Sequence, residues 1–197
     1  MEHVKTVSAR LLAYLIGSIN FAILISCLKG RDIRKTGSGN PGATNAAREY
    51  GVWMGILIFA FDFGKTILAM WLGGRLAGSP YMTLCGGCCL LGHCFPLYYR
   101  FHGGKGISCG AAIALMLGTQ VFSCDVAIFL AALLLSRKSA VASLAAAAAF
   151  PIFALIFCRD LPSFLFALIC SGLIIYRHKD NIKRLKAGTE PNFRAKP

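Results

Sequence analysis

A chain of 197 residues with 56% apolar side chains and only 15% charged ones is poor material for a water-soluble fold, because an ordinary globular protein carries about 25% charged residues. Mean hydropathy is +0.63, and the apolar residues lie in long blocks separated by basic punctuation, which excludes a disordered chain, collagen, a coiled coil and a secreted disulfide scaffold. Twenty-one Lys and Arg against 8 Asp and Glu give a net charge of +13; no soluble basic face carries it, so nucleic acid is excluded and cytoplasmic loops or an anionic ligand remain.

At about 20 residues per bilayer crossing, the length allows roughly five to seven spans and no separate soluble domain. The first span is predicted over 8–28. Its end, Leu24-Ile25-Ser26-Cys27, has the look of a lipoprotein cleavage box, but the run leads into a basic, glycine-rich loop that needs an anchor, so an uncleaved helix is the better account. That loop contains the first polar segment, Thr36-Gly37-Ser38-Gly39-Asn40-Pro41-Gly42-Ala43-Thr44-Asn45, followed by Arg48. Glycines at this spacing let the backbone curl its N–H groups into an anion-binding nest, and a helix start beyond it adds partial positive charge. Ser38, Asn40, Thr44 and Asn45 supply neutral hydrogen bonds, and Arg48 can clamp two oxygens at once. The competing reading is an ordinary flexible loop of turn residues.

Span two is predicted over 52–76. Asp62 and Lys65 lie inside it at i and i+3, where they can neutralise each other; placed away from the glycine loops, they read as a packing anchor. Span three is predicted over 81–99. Its cluster Cys85-Gly-Gly-Cys88-Cys89 with His93 has no second cysteine pair to complete a zinc site, so the nine cysteines are expected to be packing thiols, with neither metal nor disulfide. His93, near Pro96, is open to a functional or a structural role. The second polar segment, His102-Gly103-Gly104-Lys105-Gly106-Ile107, precedes an apolar helix and makes a phosphate cradle, although it lacks the spacing of a nucleotide-binding P-loop.

The stretch 107–135 is broken at Gly118-Thr119-Gln120 and again at Ser123-Cys124-Asp125. It is predicted as a hairpin of two short or tilted helices of roughly 11 or 12 residues, with one long broken span as the alternative. Further spans are predicted over 140–158 and 161–176. The third polar segment, Tyr176-Arg177-His178-Lys179-Asp180-Asn181-Ile182, continues to Lys183, Arg184 and Lys186. His178 and Asn181 would share a face on a helical extension, although a basic cap after a last span is the plainer reading. With the hairpin counted as two crossings, the loop 29–50, Arg100, Lys105, Arg137, Lys138 and the tail fall on one side, and only Lys5, Arg10, Arg75 and Arg159 on the other. The positive-inside bias therefore predicts an all-α polytopic protein of about seven transmembrane helices, amino terminus outside and carboxyl terminus cytoplasmic, forming one integral membrane domain over 1–197.

The candidate carboxylates Asp32, Glu49, Asp62 and Asp180 form no close pair suited to Mg²⁺ or Zn²⁺, and no Gly-x-Ser-x-Gly elbow is present. Such a site should bind phosphorylated molecules without a metal and act by positioning and charge neutralisation.

These segments resemble, in order and placement, the bacterial acyl-phosphate-dependent glycerol-3-phosphate acyltransferase family, PlsY. The match runs from Ala13-Tyr14-Leu15-Ile16-Gly17-Ser18-Ile19 through Gly37–Asn45 and Gly103-Gly104-Lys105-Gly106 to Ile175-Tyr176-Arg177-His178. The resemblance implies acyl transfer from acyl phosphate to the 1-hydroxyl of glycerol 3-phosphate, giving lysophosphatidic acid and phosphate at the inner face of a bacterial plasma membrane. It assigns catalysis to Ser38, Arg48, Lys105, His178 and Asn181. Substrate and phosphate binding would fall to Gly37, Gly39, Asn40, Gly42, Thr44, Asn45, Gly103, Gly104 and Gly106. The family usually has Glu where this chain has Asp180. No cofactor is implied, and the partners are the two substrates, membrane lipid and the enzyme that makes the acyl phosphate. Direct attack by the glycerol hydroxyl is expected, with a substrate phosphate or His178 as base. A transporter of phosphorylated solutes is the competing class; an acyl-CoA enzyme is disfavoured because no His-four-residues-Asp pattern occurs.

Overall fold

The computed structural model describes residues 2–193; Arg194 and Lys196, counted above in the basic tail, lie outside the described residues. Among the described residues the regular structure is entirely helical: α1 (Glu2–Ser18), α2 (Phe21–Leu28), α3 (Ala43–Tyr50), α4 (Val52–Ala77), α5 (Met82–Cys94), α6 (Ile107–Leu117), α7 (Thr119–Ser136), α8 (Ser139–Cys158), α9 (Leu161–Arg177) and α10 (Lys179–Lys186). Short 3₁₀ turns occupy Ile33–Lys35, Ser79–Tyr81 and Leu97–Tyr99. The chain divides within α6 into two compact units, one up to Ile113 and one from Ala114.

In the first unit α1, α4 and α5 pack on one another, and α3 lies against α4. The first predicted span is two helices. Asn20 breaks it: its side chain accepts from the Ile23 amide at 3.0 Å and caps α2, a competition with the helical ladder typical of Asn. The α1–α4–α5 core is made of small residues, Ala9, Ala13, Ala69, Cys85 and Cys89, which let helix backbones approach closely in the manner of membrane interfaces. A β-carbon on Gly17 would collide with the Cys89 carbonyl, and one on Gly92 with the Tyr14 carbonyl. The third predicted span yields only the 13 helical residues of α5. Phe95 ends it and Pro96 prevents its continuation.

In the second unit α8 packs against both α7 and α9, burying Ala142, Ala146, Ala147, Phe150 and Ala154. The stretch 107–135 does form two helices, α6 and α7, with the break at Gly118. The second expected break is absent: Ser123, Cys124 and Asp125 lie inside the 18-residue α7. None of the three is a Gly or Pro, and an apolar surrounding rewards an unbroken backbone ladder. α9 and α10 meet at a 58° bend at His178.

Polarity is inverted relative to a water-soluble protein. Trp53, Leu134, Leu135 and Ile169 are exposed, whereas Asn20, Asp62, Lys65, His93, His178 and Glu190 are buried. By length and composition, Glu2–Leu28, Val52–Ala77, Thr119–Ser136 and Ser139–Cys158 can cross a bilayer, as can the bent pair α9–α10 if it is one span.

Candidate functional site

The first polar segment is a folded loop. Ser26 fixes its start, accepting from the Arg31 amide through its carbonyl (2.9 Å) and from the Ile33 amide through Oγ (3.3 Å). Asp32 caps the next turn through the Arg34 amide and takes the Arg34 guanidinium at 2.9 Å on both carboxylate oxygens. The hydrogen bond from the Arg34 side chain holds the Asp32 carboxyl below its usual range, and the same bond raises Arg34.

Asn45, buried in the first turns of α3, closes the loop. Its Oδ1 accepts from the Ser38 amide (2.9 Å), and its Nδ2 donates to the carbonyls of Ile33 (3.2 Å) and Thr36 (3.1 Å). The chain can curl this tightly because Gly37 and Gly39 have φ of +54° and +69°, and a β-carbon on Gly37 would strike Asn45 Oδ1. Asn45 therefore shapes the loop, while Ser38 is exposed on it and Asn40 beside it sends its amide toward Ser38 Oγ at 3.5 Å. Gly42 is the residue before α3, Thr44 lies in its first turn and Arg48 in its last. From below, Asn20 Nδ2 donates to the Pro41 carbonyl at 3.2 Å.

The second segment is packed as tightly. The Gly104 amide donates to the His93 carbonyl at 3.0 Å. A β-carbon on Gly103 would meet the His93 carbonyl and Pro96, and one on Gly104 would meet the imidazole Nε2 of His93. These two glycines are thus required for close approach to the end of α5. Gly106 (φ +86°) turns the chain into α6, accepting from the Gly110 amide at 2.7 Å. Lys105 is half-buried between them.

Beneath both loops lies a buried ionic cluster. Lys65 Nζ is 2.7 Å from Asp62 Oδ1, 3.1 Å from His93 Nδ1 and 2.6 Å from the Ile19 carbonyl, and His93 Nδ1 is 3.5 Å from Asp62 Oδ1. The expectation that Asp62 and Lys65 stand apart from the glycine loops is therefore corrected. Lys65 reaches the loop at Gly104 through His93, and that at Pro41 through the Ile19–Asn20 break.

In the second unit the third segment straddles the α9–α10 bend. His178 is 2% exposed, and its Nδ1 lies 2.8 Å from the Ile174 carbonyl. A carbonyl only accepts, so Nδ1 carries a proton and the neutral ring keeps its lone pair on Nε2. Asn181, in the first turn of α10, donates to Glu190 Oε1 at 2.7 Å, while Arg184 Nε donates to Glu190 Oε2 at 2.7 Å. Glu190 is 5% exposed, and the tail beyond it is pinned where the Phe193 amide donates to the Arg137 carbonyl at 2.7 Å. Asn181 Oδ1 is buried with no hydrogen-bond partner among the described residues. Asp180, in contrast, points to the surface.

All nine cysteines are thiols, and among the described residues no group of three or more His, Cys, Asp or Glu is arranged to hold a metal.

Residues 7–188 match the family model described as glycerol-3-phosphate acyltransferase. The chain belongs to the glycerol-3-phosphate acyltransferase family. It is 37% identical to the glycerol-3-phosphate acyltransferase of Carboxydothermus hydrogenoformans, covering 92% of this chain and 93% of the relative. It is 38% identical to that of Pseudomonas aeruginosa, covering 93% and 97%. The crystal structure of PlsY, an integral membrane glycerol 3-phosphate acyltransferase, in its glycerol 3-phosphate form is similar at a TM-score of 0.89 and 33% identity, over 95% of this chain and 94% of that one. Its lysophosphatidic acid form gives a TM-score of 0.87 at the same identity.

Within this acyltransferase, three residues escape a reading of the sequence. Asn20 looks like part of a continuous apolar run, and nothing local marks the Pro41 carbonyl as its partner. His93 has a signal, a histidine beside Pro96 at a helix end, but its Lys65 and Gly104 contacts join distant positions. Glu190 had the clearest mark: one carboxylate nine positions beyond Asn181 in an otherwise basic tail.

Proposed function

We propose that this chain transfers a fatty acyl group from acyl phosphate to the 1-hydroxyl of glycerol 3-phosphate, releasing lysophosphatidic acid and inorganic phosphate. Membership of the family supports the acceptor. One observation carries the reading onto this chain's own atoms: a left-handed glycine loop, fixed by Asn45, that displays Ser38 on the approach to α3, the helix that carries Arg48. A loop of that build is suited to phosphate oxygens and to no apolar ligand.

The roles are these. Arg48 and Lys105 neutralise the phosphates of the two substrates and steady the leaving group. Ser38 and Asn181 orient the hydroxyl and the acyl carbonyl, with Asn181 Oδ1 the buried acceptor that a hydroxyl proton satisfies. Gly37, Gly39, Asn40, Gly42 and Thr44 bound the first phosphate loop, and Gly103, Gly104 and Gly106 shape the second. The glycerol oxygen attacks the acyl carbon directly, the carbon–oxygen bond to phosphate breaks, and the proton passes to a substrate phosphate oxygen. No acyl-enzyme is formed, because acyl phosphate is already activated. His178 as the base is a second reading, favoured by the bond to Ile174 that leaves its Nε2 basic. An acidic limb of the kcat–pH profile that vanishes in His178→Gln supports His178; an unchanged limb supports the phosphate.

The chain acts as one integral membrane domain of the bacterial plasma membrane with seven crossings, α5 and α6 being the short ones, and with a cytoplasmic carboxyl terminus. The acyl chain enters from the inner leaflet, and the enzyme supplying acyl phosphate is its partner. The deciding experiment presents purified protein with glycerol 3-phosphate and labelled acyl phosphate, in parallel with acyl-CoA. Lysophosphatidic acid from acyl phosphate is expected. Product from acyl-CoA alone overturns the donor; no lipid product, with solute uptake into sealed vesicles, overturns the enzyme in favour of a transporter.

A further inference from the structure

Lys65 presents three protons, and three acceptors surround it: Asp62 Oδ1, the Ile19 carbonyl and His93 Nδ1, all within 3.1 Å. Lys65 hydrogen-bonds the Ile19 carbonyl and His93 Nδ1 and pairs with Asp62 Oδ1 as an ion when His93 Nδ1 holds a lone pair, which puts the ring proton on Nε2, the edge that Gly104 packs against. One positive and one negative charge then cancel around a neutral imidazole, a condition under which a buried pair is tolerated. The cluster does not stand alone. Its histidine accepts the Gly104 amide through its own carbonyl, one residue before Lys105. Its lysine holds the Ile19 carbonyl, next to the Asn20 that holds Pro41. Two further bonds brace the same joint: Tyr14 Oη donates to the Phe95 carbonyl at 2.8 Å, and the Leu97 amide to Ser18 Oγ at 3.2 Å.

We propose that Lys65, locked by Asp62 and His93, is a positioning residue that holds the Gly37–Asn45 loop and the Lys105 loop in one fixed register through the break between α1 and α2. An ammonium is suited to this because it hydrogen-bonds the Ile19 carbonyl and His93 while pairing with the Asp62 carboxylate, and a neutral side chain of the same length does neither. The kinetic part of the test rests on the acyltransferase reading above; the exchange part does not.

Lys65→Met strands the Asp62 carboxylate, so the variant that carries the test is the double Asp62→Asn/Lys65→Met, which removes both charges. Hydrogen exchange is followed by mass spectrometry in detergent on peptides covering 37–45, 103–106 and 181–193. Exchange in the double variant is expected to rise in 37–45 and 103–106 together and to stay unchanged in 181–193. Gly104→Ala, which pushes on the His93 ring from the other end, is expected to loosen 37–45 as well. In turnover assays the double variant should raise KM for glycerol 3-phosphate and lower kcat, each by about tenfold or more, as small displacements of reacting groups do. Wild-type exchange at both loops, a rise spread evenly over all three peptides, or recovery of normal kinetics in the double variant would each overturn the proposal. A wild-type protein without acyl transfer would sink the acyltransferase reading while leaving the exchange result to decide this one.

Discussion

Asn45 has two chemically different ends, and the loop uses both. Asn45→Asp keeps the acceptor for the Ser38 amide but aims a second oxygen at the carbonyls of Ile33 and Thr36. Losing two buried donors and facing them with charge should destabilise the loop by about 2–4 kcal/mol and abolish most turnover. An Asn45→Asp protein with normal kcat would show that the loop's curl is unnecessary. Lys105 and Ser38 should separate kinetically. On the proposed role of Lys105, Lys105→Ala removes a cation that would bind phosphate in ground and transition states alike, so KM for glycerol 3-phosphate should rise roughly tenfold or more. Ser38→Ala leaves binding nearly intact and should depress kcat by about 10- to 100-fold. Near-normal constants in both variants would remove these residues from the site. The Asp32–Arg34 pair makes a pH prediction. Asp32 is held below its ordinary value of 3.8, so its contribution is complete above that value and is lost only as pH falls through the lower folded value. Protection of the Arg34 amide, corrected for intrinsic exchange, should be flat from about pH 5 to 8; a loss centred near neutrality would contradict the pairing.

Helix α10 is short and strongly basic, and eight residues form a marginal helix by themselves. Glu190 supplies what the helix lacks, one carboxylate received by Asn181 at its start and Arg184 in its last turn. Glu190→Ala should lower the detergent melting temperature by about 1–3 kcal/mol worth of stability and reduce kcat through Asn181. Glu190→Gln, which keeps one acceptor, should do less of both. Equal effects from the two variants would mean that the carboxylate is not the clamp. The short elements also explain what could be read without coordinates. α4, α8 and α9 were legible because their apolar runs are long and end at glycine or charge. α1–α2 was not, since Asn20 interrupts the helix through a side-chain bond three residues ahead, invisible in a hydropathy run. The two glycine-rich loops were legible as composition. Which of their residues face a ligand and which hold the loop was not, because that depends on Asn45 and Gly104 finding partners elsewhere in the chain.

Across the molecule, charge distribution makes a statement about sidedness. Single-cysteine probes at exposed Lys35 and Lys183, on a background without native thiols, should both react with impermeant reagent only from the cytoplasmic side, and a probe at Arg75 only from outside. Opposite sidedness of the Lys35 and Lys183 probes would dismantle both the topology and the shared reaction. The long spans α4 and α8 followed from hydropathy and the short α6 from the break at Gly118; the shortness of α5 did not, because Pro96 ends it before a run of bilayer length is complete.

The contact of α1 with α5, glycine against carbonyl at Gly17 and Gly92, carries an evolutionary corollary. Sequence drift in this protein should concentrate on its outside, where Trp53, Leu134 and Ile169 can exchange for any comparably greasy neighbour. Its seams admit almost no added atom. Libraries built to diversify the enzyme should therefore randomise the lipid-facing positions and leave the smallest residues alone, the reverse of the habit formed on proteins that live in water.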